Sequence, residues 1–205
     1  MTEMELASIS VAVLFVRRDS VYKSMPGVDA YDIDRGARTF PGPGPIIAHP
    51  PCRSWGSMRH WAKGSLEEHR LAPWAVEQVR RWGGVLEHPA ASSLWRACAL
   101  PRPGQGPDAY GGFSLDVEQH WWGHRATKRT WLYVCGCRRG QVPRRPLVMT
   151  HATHVVKRDS RNRPNRKRLL PHVTHREREA TPGPFAEWLL ELARRCGPRA
   201  EGAPQ

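Results

Sequence analysis

The chain has 205 residues and a formal net charge of +13, from 32 Lys and Arg against 19 Asp and Glu. That length holds one domain, or one with a tail, and excludes two full ones. The longest apolar run, Val11 to Val16, is six residues against the roughly 20 of a spanning helix, which excludes the transmembrane class, while 40% hydrophobic residues suffice for a packed core.

Ser8 to Val16 is β-branched and aliphatic and ends in charge, which predicts a buried first strand. Val28 to Ile33 predicts a second, closing on Asp32 and Asp34. After a Pro/Gly cluster at Pro41 to Pro45, Ile46-Ile47-Ala48 predicts a short third strand that stops at His49-Pro50-Pro51-Cys52. From Ser65, a plausible N-cap, apolar side chains recur at Leu66, Ala72, Trp74, Ala75, Val79 and Trp82 before Gly83-Gly84, which predicts a helix. Val85-Leu86 reads as a strand ending in Glu87-His88-Pro89. Past a Pro/Gly-rich loop from Pro101 to Gly112, Ser114 to His120 and Trp131 to Val134 predict two strands joined by a charged turn. Phe185, Trp188, Leu189 and Leu192 share one face of a closing helix over Pro184 to Arg195. Strands alternating with helices and loops predict an open α/β sheet, with its ligand crevice at the carboxyl ends of the strands.

The charge is concentrated. Residues 138–168 hold eleven basic side chains and one acidic, ten of the thirteen net charges. Most are arginine, whose guanidinium fork suits bidentate phosphate contacts, so a polyanion is the expected partner. The acidic opening Met1-Thr2-Glu3-Met4-Glu5 is unlike a secretory signal, and five scattered cysteines fit reduced thiols in a cytoplasm better than a disulfide framework.

Three groups directly after strands face the predicted crevice. Asp32 or Asp34 is placed to accept hydrogen bonds from a ribose diol. Cys52 sits behind two prolines beside Arg53, placed as a nucleophilic thiolate, while Cys98 and Cys196 read as buried small hydrophobes. Glu87 ends the next strand, as a base-edge acceptor or a salt-bridged surface group. Trp55, Trp61, Trp121 and Trp122 lie near these loops and are candidates for base stacking; Trp121 and Trp122 fit the core equally well. Trp74, Trp82, Trp95 and Trp188 read as core.

Together these residues resemble the DNA (cytosine-5) methyltransferases. Pro50-Pro51-Cys52 resembles that family's nucleophile loop, and Glu87-His88-Pro89 its Glu-Asn-Pro/Val motif. Trp122-Gly123-His124-Arg125 through Val134 is similar to its Tyr-Gly-x-Pro-Gln-x-Arg-x-Arg motif and following strand, with Lys128 at the first Arg and Thr130 at the second. Val173-Thr174-His175-Arg176-Glu177 resembles its Leu-Thr-x-Arg-Glu. The first strand departs from the family's Phe-x-Gly-x-Gly, running instead through Phe15-Val16-Arg17-Arg18-Asp19-Ser20 with no glycine.

The resemblance implies a divergent, minimal relative of phage type, with a Rossmann-like methyltransferase sheet reduced by about one strand–helix unit. Residues 1–137 would form the catalytic core, 138–170 a basic target-recognition insert, 171–196 a closing segment packed on the core, and 197–205 a disordered tail. Cys52 would attack C6 of a flipped cytosine while Glu87 binds its N3 and amino edge, with Lys128 and Arg129 assisting. S-adenosylmethionine would be the methyl donor, held by Asp32 or Asp34 at its ribose and Phe15 near its adenine, with Pro50 also in its site. DNA would be gripped by Arg53, Arg158, Arg161, Arg163, Arg166 and Arg168. Three alternatives stand beside this: a module that binds or inhibits at DNA without turnover, an enzyme modifying pyrimidines with another donor or substrate, and a zinc site from Cys135, Cys137, His151 and His154.

Overall fold

The computed structural model describes residues 9–57, 59–61, 64–156 and 170–198. Among them the chain forms strands β1 (Val11–Leu14), β2 (Val28–Tyr31), β3 (Ile46–Ala48), β4 (Gly84–Pro89), β5 (Phe113–Glu118), β6 (Ala126–Thr127), β7 (Arg129–Cys135) and β8 (His154–Val155). The helices are α1 (Leu66–Trp82), α2 (Leu94–Ala97), α3 (His175–Glu179) and α4 (Gly183–Arg194). Six strands make one open sheet in the order β2-β1-β3-β4-β7-β5. The first four run parallel, and β7 lies antiparallel to both of its neighbours. Strands β6 and β8 form a separate parallel pair. No helix among the described residues is long and apolar enough to cross a membrane.

The architecture follows from alternation. Successive strand side chains point to opposite faces, so Val11, Val13, Ile47, Val85, Leu132 and Val134 meet Phe185, Leu189 and Leu192 of α4 on one side. Ala12, Leu14, Ile46, Ala48, Leu86 and Tyr133 meet Ala72, Val76 and Val79 of α1 on the other. Covered on both faces, β1 and β3 can be continuous apolar runs, as parallel strands are. Each fully buried Leu, Val or Phe here contributes about 1.5–3 kcal/mol.

Helix α1 starts where Ser65 accepts a hydrogen bond from the Glu68 amide at 3.1 Å and stops where the amide of Gly83, at φ +79°, reaches the Val79 carbonyl at 3.0 Å. Gly84 follows at φ +126°, where a Cβ would lie 1.9 Å from the Ile46 carbonyl oxygen. The close β3–β4 pairing that carries the site requires a glycine there.

Several expected boundaries move. The first strand is Val11–Leu14, since Phe15 turns out of it at φ +63°; Ser8 lies outside the described residues. The second strand stops at Tyr31 because Asp32 caps a turn, its Oδ1 accepting from the Asp34 and Arg35 amides at 3.0 and 3.1 Å. The strand expected at Val85-Leu86 runs through Pro89, because β7 pairs with it from Gly84↔Cys135 to Pro89↔Thr130. Glu87 therefore sits inside a strand. Only a 3-10 turn, Ala37–Thr39, interrupts the connection from β2 to β3.

The start of the predicted insert packs on the core: the Arg144 carbonyl accepts from the Trp188 indole at 3.1 Å, and Arg145 donates to the Asp116 carbonyl at 3.1 Å. Arg158, Arg161, Arg163, Arg166 and Arg168 lie outside the described residues, as does most of the tail expected to be disordered.

Candidate active site

His49 follows β3, and its amide donates to the Leu14 carbonyl at 3.1 Å, fixing the start of the Pro50-Pro51-Cys52 turn. The Cys52 carbonyl then accepts from the Trp55 and Gly56 amides at 3.0 and 2.8 Å. The Trp55 ring is buried, stacked on His69 at 4.0 Å, and anchors the far side of the turn. Rigid proline backbone before Cys52 and a pinned ring after it leave the thiol little freedom. Cys52 itself is exposed.

Glu87 projects from β4 on the α4 face of the sheet, the face of Val85, into a ring of hydrogen bonds. His49 Nδ1 lies 2.9 Å from Oε2, and Gln119 Nε2 donates to Oε1 at 3.1 Å. Gln119 also donates to Thr130 Oγ1 at 3.0 Å, and His49 Nε2 lies 3.2 Å from the buried Tyr22 hydroxyl. Desolvation alone would push the Glu87 carboxyl up. The hydrogen bond and charge of His49, with Lys128 and His88 adding to them, overcome it and hold the group at about 2. As a carboxylate it accepts, so His49 donates from Nδ1, and the Tyr22 hydroxyl, a phenol pushed up by burial and by Glu87, lies beside Nε2.

Lys128 precedes β7 and reaches the same place. Its Nζ donates to the Ala180 carbonyl at 3.1 Å. Burial lowers its pKa against the charges of Glu87, Cys52 and Glu179. The Cys52 thiol is pushed up, first by desolvation and then by Glu87, with Lys128 opposing. At rest it is a thiol on an exposed residue, with Glu87 and Lys128 in electrostatic range.

The structure thus brings Cys52, Glu87 and Lys128 together. Arg129 does not join them: one residue further along, alternation sends it to the α1 face, where it pairs with Asp116 at 3.0 Å through Nε. Arg53 pairs with Glu68 of α1 at 2.6 Å, so a DNA contact there would have to break an ion pair. Sequence reasoning misses His49, Tyr22 and Gln119 as members of the site. His49 stands in the very turn that carries Cys52, but nothing in sequence spacing ties Tyr22 or Gln119 to it.

The carboxylates expected to hold S-adenosylmethionine are engaged by other groups. Asp32 Oδ2 binds Lys23 at 2.5 Å while Oδ1 takes two backbone amides; these bonds, with the Lys23 hydrogen bond strongest, hold the carboxyl at about 2. Asp34 forms a two-pronged pair with Arg18 at 2.6 and 2.7 Å. Phe15 packs edge-on against Trp74 at 6.0 Å, and Pro50 is buried. Without a glycine turn and with both carboxylates engaged, these residues do not fit the cofactor in this arrangement.

Trp122, which its sequence position suits equally to stacking and to the core, is core: it packs on Phe185 and Trp188 at 4.8 and 5.0 Å. Trp55 is core as well, whereas Trp61 is 83% exposed. Among the described residues no group of three or more metal-type ligands gathers. Cys135 is buried with its thiol on the Tyr110 carbonyl, Cys137 lies beside Cys196, and His154 bonds Thr153 and Arg125. No family model, curated protein or solved structure matches the chain.

Proposed function

We propose that the chain is a DNA cytosine-modifying enzyme of the cytosine-5 methyltransferase type, whose chemistry begins with addition of Cys52 sulfur to C6 of the base. The convergence of Cys52, Glu87 and Lys128 at the carboxyl ends of β3 and β4 carries this reading. The open sheet whose β2-to-β3 connection contains no packed helix supports a methyltransferase-like sheet lacking one strand–helix unit. The basic stretch at 138–168 supports DNA as partner, and DNA with reduced cysteines points to the cytoplasm.

In this mechanism Cys52 gives up its proton to water and bonds to C6, and the C5–C6 π electrons move onto C5. Glu87, an acceptor on the face of the ring of hydrogen bonds, receives the cytosine 4-amino group and orients the base. Lys128 offsets the negative charge on the sulfur and, after attack, on the ring. C5 then takes a proton from water. The hydroxide left behind takes the original C5 hydrogen as a proton, which restores the double bond and expels the thiolate, so the unaided adduct exchanges C5 hydrogen with solvent. No step is assigned to S-adenosylmethionine, because the carboxylates expected to bind it are engaged.

The test is tritium release from DNA whose cytosines are tritiated at C5, in wild type and Cys52→Ala, with and without labelled S-adenosylmethionine. Release in wild type alone supports the nucleophile, and added methyl label at 5-methylcytosine identifies the donor. The engagement of Asp32 and Asp34 by Lys23 and Arg18 favours a second reading, a DNA-binding or inhibitory module without turnover, which predicts intact DNA binding and no release.

A further inference from the structure

On the α1 side of the sheet a cleft of about 790 Å³ opens between the loop after Cys52 and the segments that follow β4 and α2. Its rim carries Arg59, Arg96 and Arg102, all exposed. Among the described residues none of the three side chains has an ion-pair or hydrogen-bond partner, whereas Arg53, Arg80 and Arg129 each pair with a carboxylate. Among the described residues lining the cleft the one carboxylate, Asp108, is taken by Arg80 at 3.2 Å and by the Tyr133 hydroxyl at 2.8 Å. The cleft therefore presents three free guanidinium groups and no free negative charge. Its floor holds the half-buried Trp131, braced edge-on by Trp95 at 5.5 Å, so the ring is fixed with part of its surface open.

The cleft is mechanically part of the nucleophile loop. Three donors converge on the Trp55 carbonyl, three residues past Cys52: the Ser93 amide at 3.0 Å, the Ser93 hydroxyl at 3.0 Å and the Ser92 hydroxyl at 3.3 Å. Ser92 and Ser93 line the cleft, and Arg59 lies seven residues beyond Cys52 on the same loop. Unpaired arginines around an aromatic floor match the chemistry of a nucleic-acid strand, with phosphates at the rim and a base on the ring.

We propose that this cleft holds the nucleotides of the DNA strand that flank the base presented to Cys52, independently of the basic stretch at 138–168. This rests on the reading of DNA as the partner, and adds which face the strand crosses and which residues grip it.

The experiment is a salt titration of the full chain binding a fluorescein-labelled, cytosine-containing duplex, followed by anisotropy. It compares wild type, R59A/R96A/R102A and R59K/R96K/R102K, with thermal melting to confirm that each folds. We expect the alanine triple to flatten the slope of log affinity against log salt by about two to three, near 0.9 for each phosphate no longer held, and the lysine triple to recover most of it. Unchanged slope and affinity in a folded alanine triple overturns the proposal. So does displacement of the duplex by free dCMP at the same concentrations as by unlabelled duplex, which would make this a mononucleotide site, and so does a wild type that binds no DNA. Slope loss without any tritium release keeps the cleft and sinks the enzymatic reading.

Discussion

Two corners of the sheet share strand ends and differ in how they treat charge. At the β1–β2 corner all five cations between Phe15 and Phe40 are matched to carboxylates: Arg17 with Asp19 and Glu179, Arg18 with Asp34, Lys23 with Asp32, Arg35 with Asp29 and Arg38 with Glu67. At the β3–β4 corner Glu87 accepts from a ring nitrogen of His49 and from the neutral Gln119 amide, Lys128 binds a backbone carbonyl, and the thiol stands open. Paired charges close a surface; charges satisfied by neutral partners keep their field for a ligand. The first corner is built like structure and the second like a site.

The sharpest way to break that comparison is Cys52→Ala, expected to reduce tritium release to background while DNA affinity is kept; residual release would remove Cys52 from the chemistry. Glu87→Gln keeps the shape and removes the charge, and is expected to slow release by about 10²- to 10³-fold, as loss of a preorganised electrostatic partner does. Lys128→Met should move the ascending limb of the pH–rate profile to more alkaline pH, because the cation opposes the raised thiol pKa. A limb that stays in place would mean that Lys128 does not face the sulfur.

Asp32→Asn addresses the other corner. It is expected to lower the melting temperature and leave tritium release unchanged; selective loss of methyl transfer from S-adenosylmethionine would instead make that corner a cofactor site. The smallest effect is on acid stability. Glu87 and Asp32 are both held at about 2, so the unfolded chain binds more protons than the native one as pH falls from their ordinary values of 4.5 and 3.8 towards 2. Buried His88, held down to about 4 by desolvation, acts in the same direction from 6.5 downwards. Stability should therefore decline in two overlapping stages below about pH 6.5, and Glu87→Gln should blunt the lower one.

The local grammar of the fold is legible in the sequence. The N-cap at Ser65, the stop at Gly83 and the apolar face of α4 are each encoded within a few residues. So is the turn that carries Cys52, since two prolines after an apolar run admit few conformations. Pairing across the sheet is not legible in the same way. That β7 inserts antiparallel between β4 and β5 decides that Lys128 faces Glu87 and its neighbour Arg129 does not, and the sequence offers two adjacent cations with nothing to separate them. Nor does spacing show that Asp32 is already occupied by Lys23, nine residues earlier.

The three bonds on the Trp55 carbonyl make a latch. Any outward movement of the Trp55 end of the nucleophile loop would have to release the Ser93 amide together with both serine hydroxyls. The Ser93 amide proton then exchanges with deuterated water only while the loop is open, so its exchange rate clocks loop opening at a single backbone position. If DNA seats in the adjoining cleft, that clock slows before any bond to the base has formed.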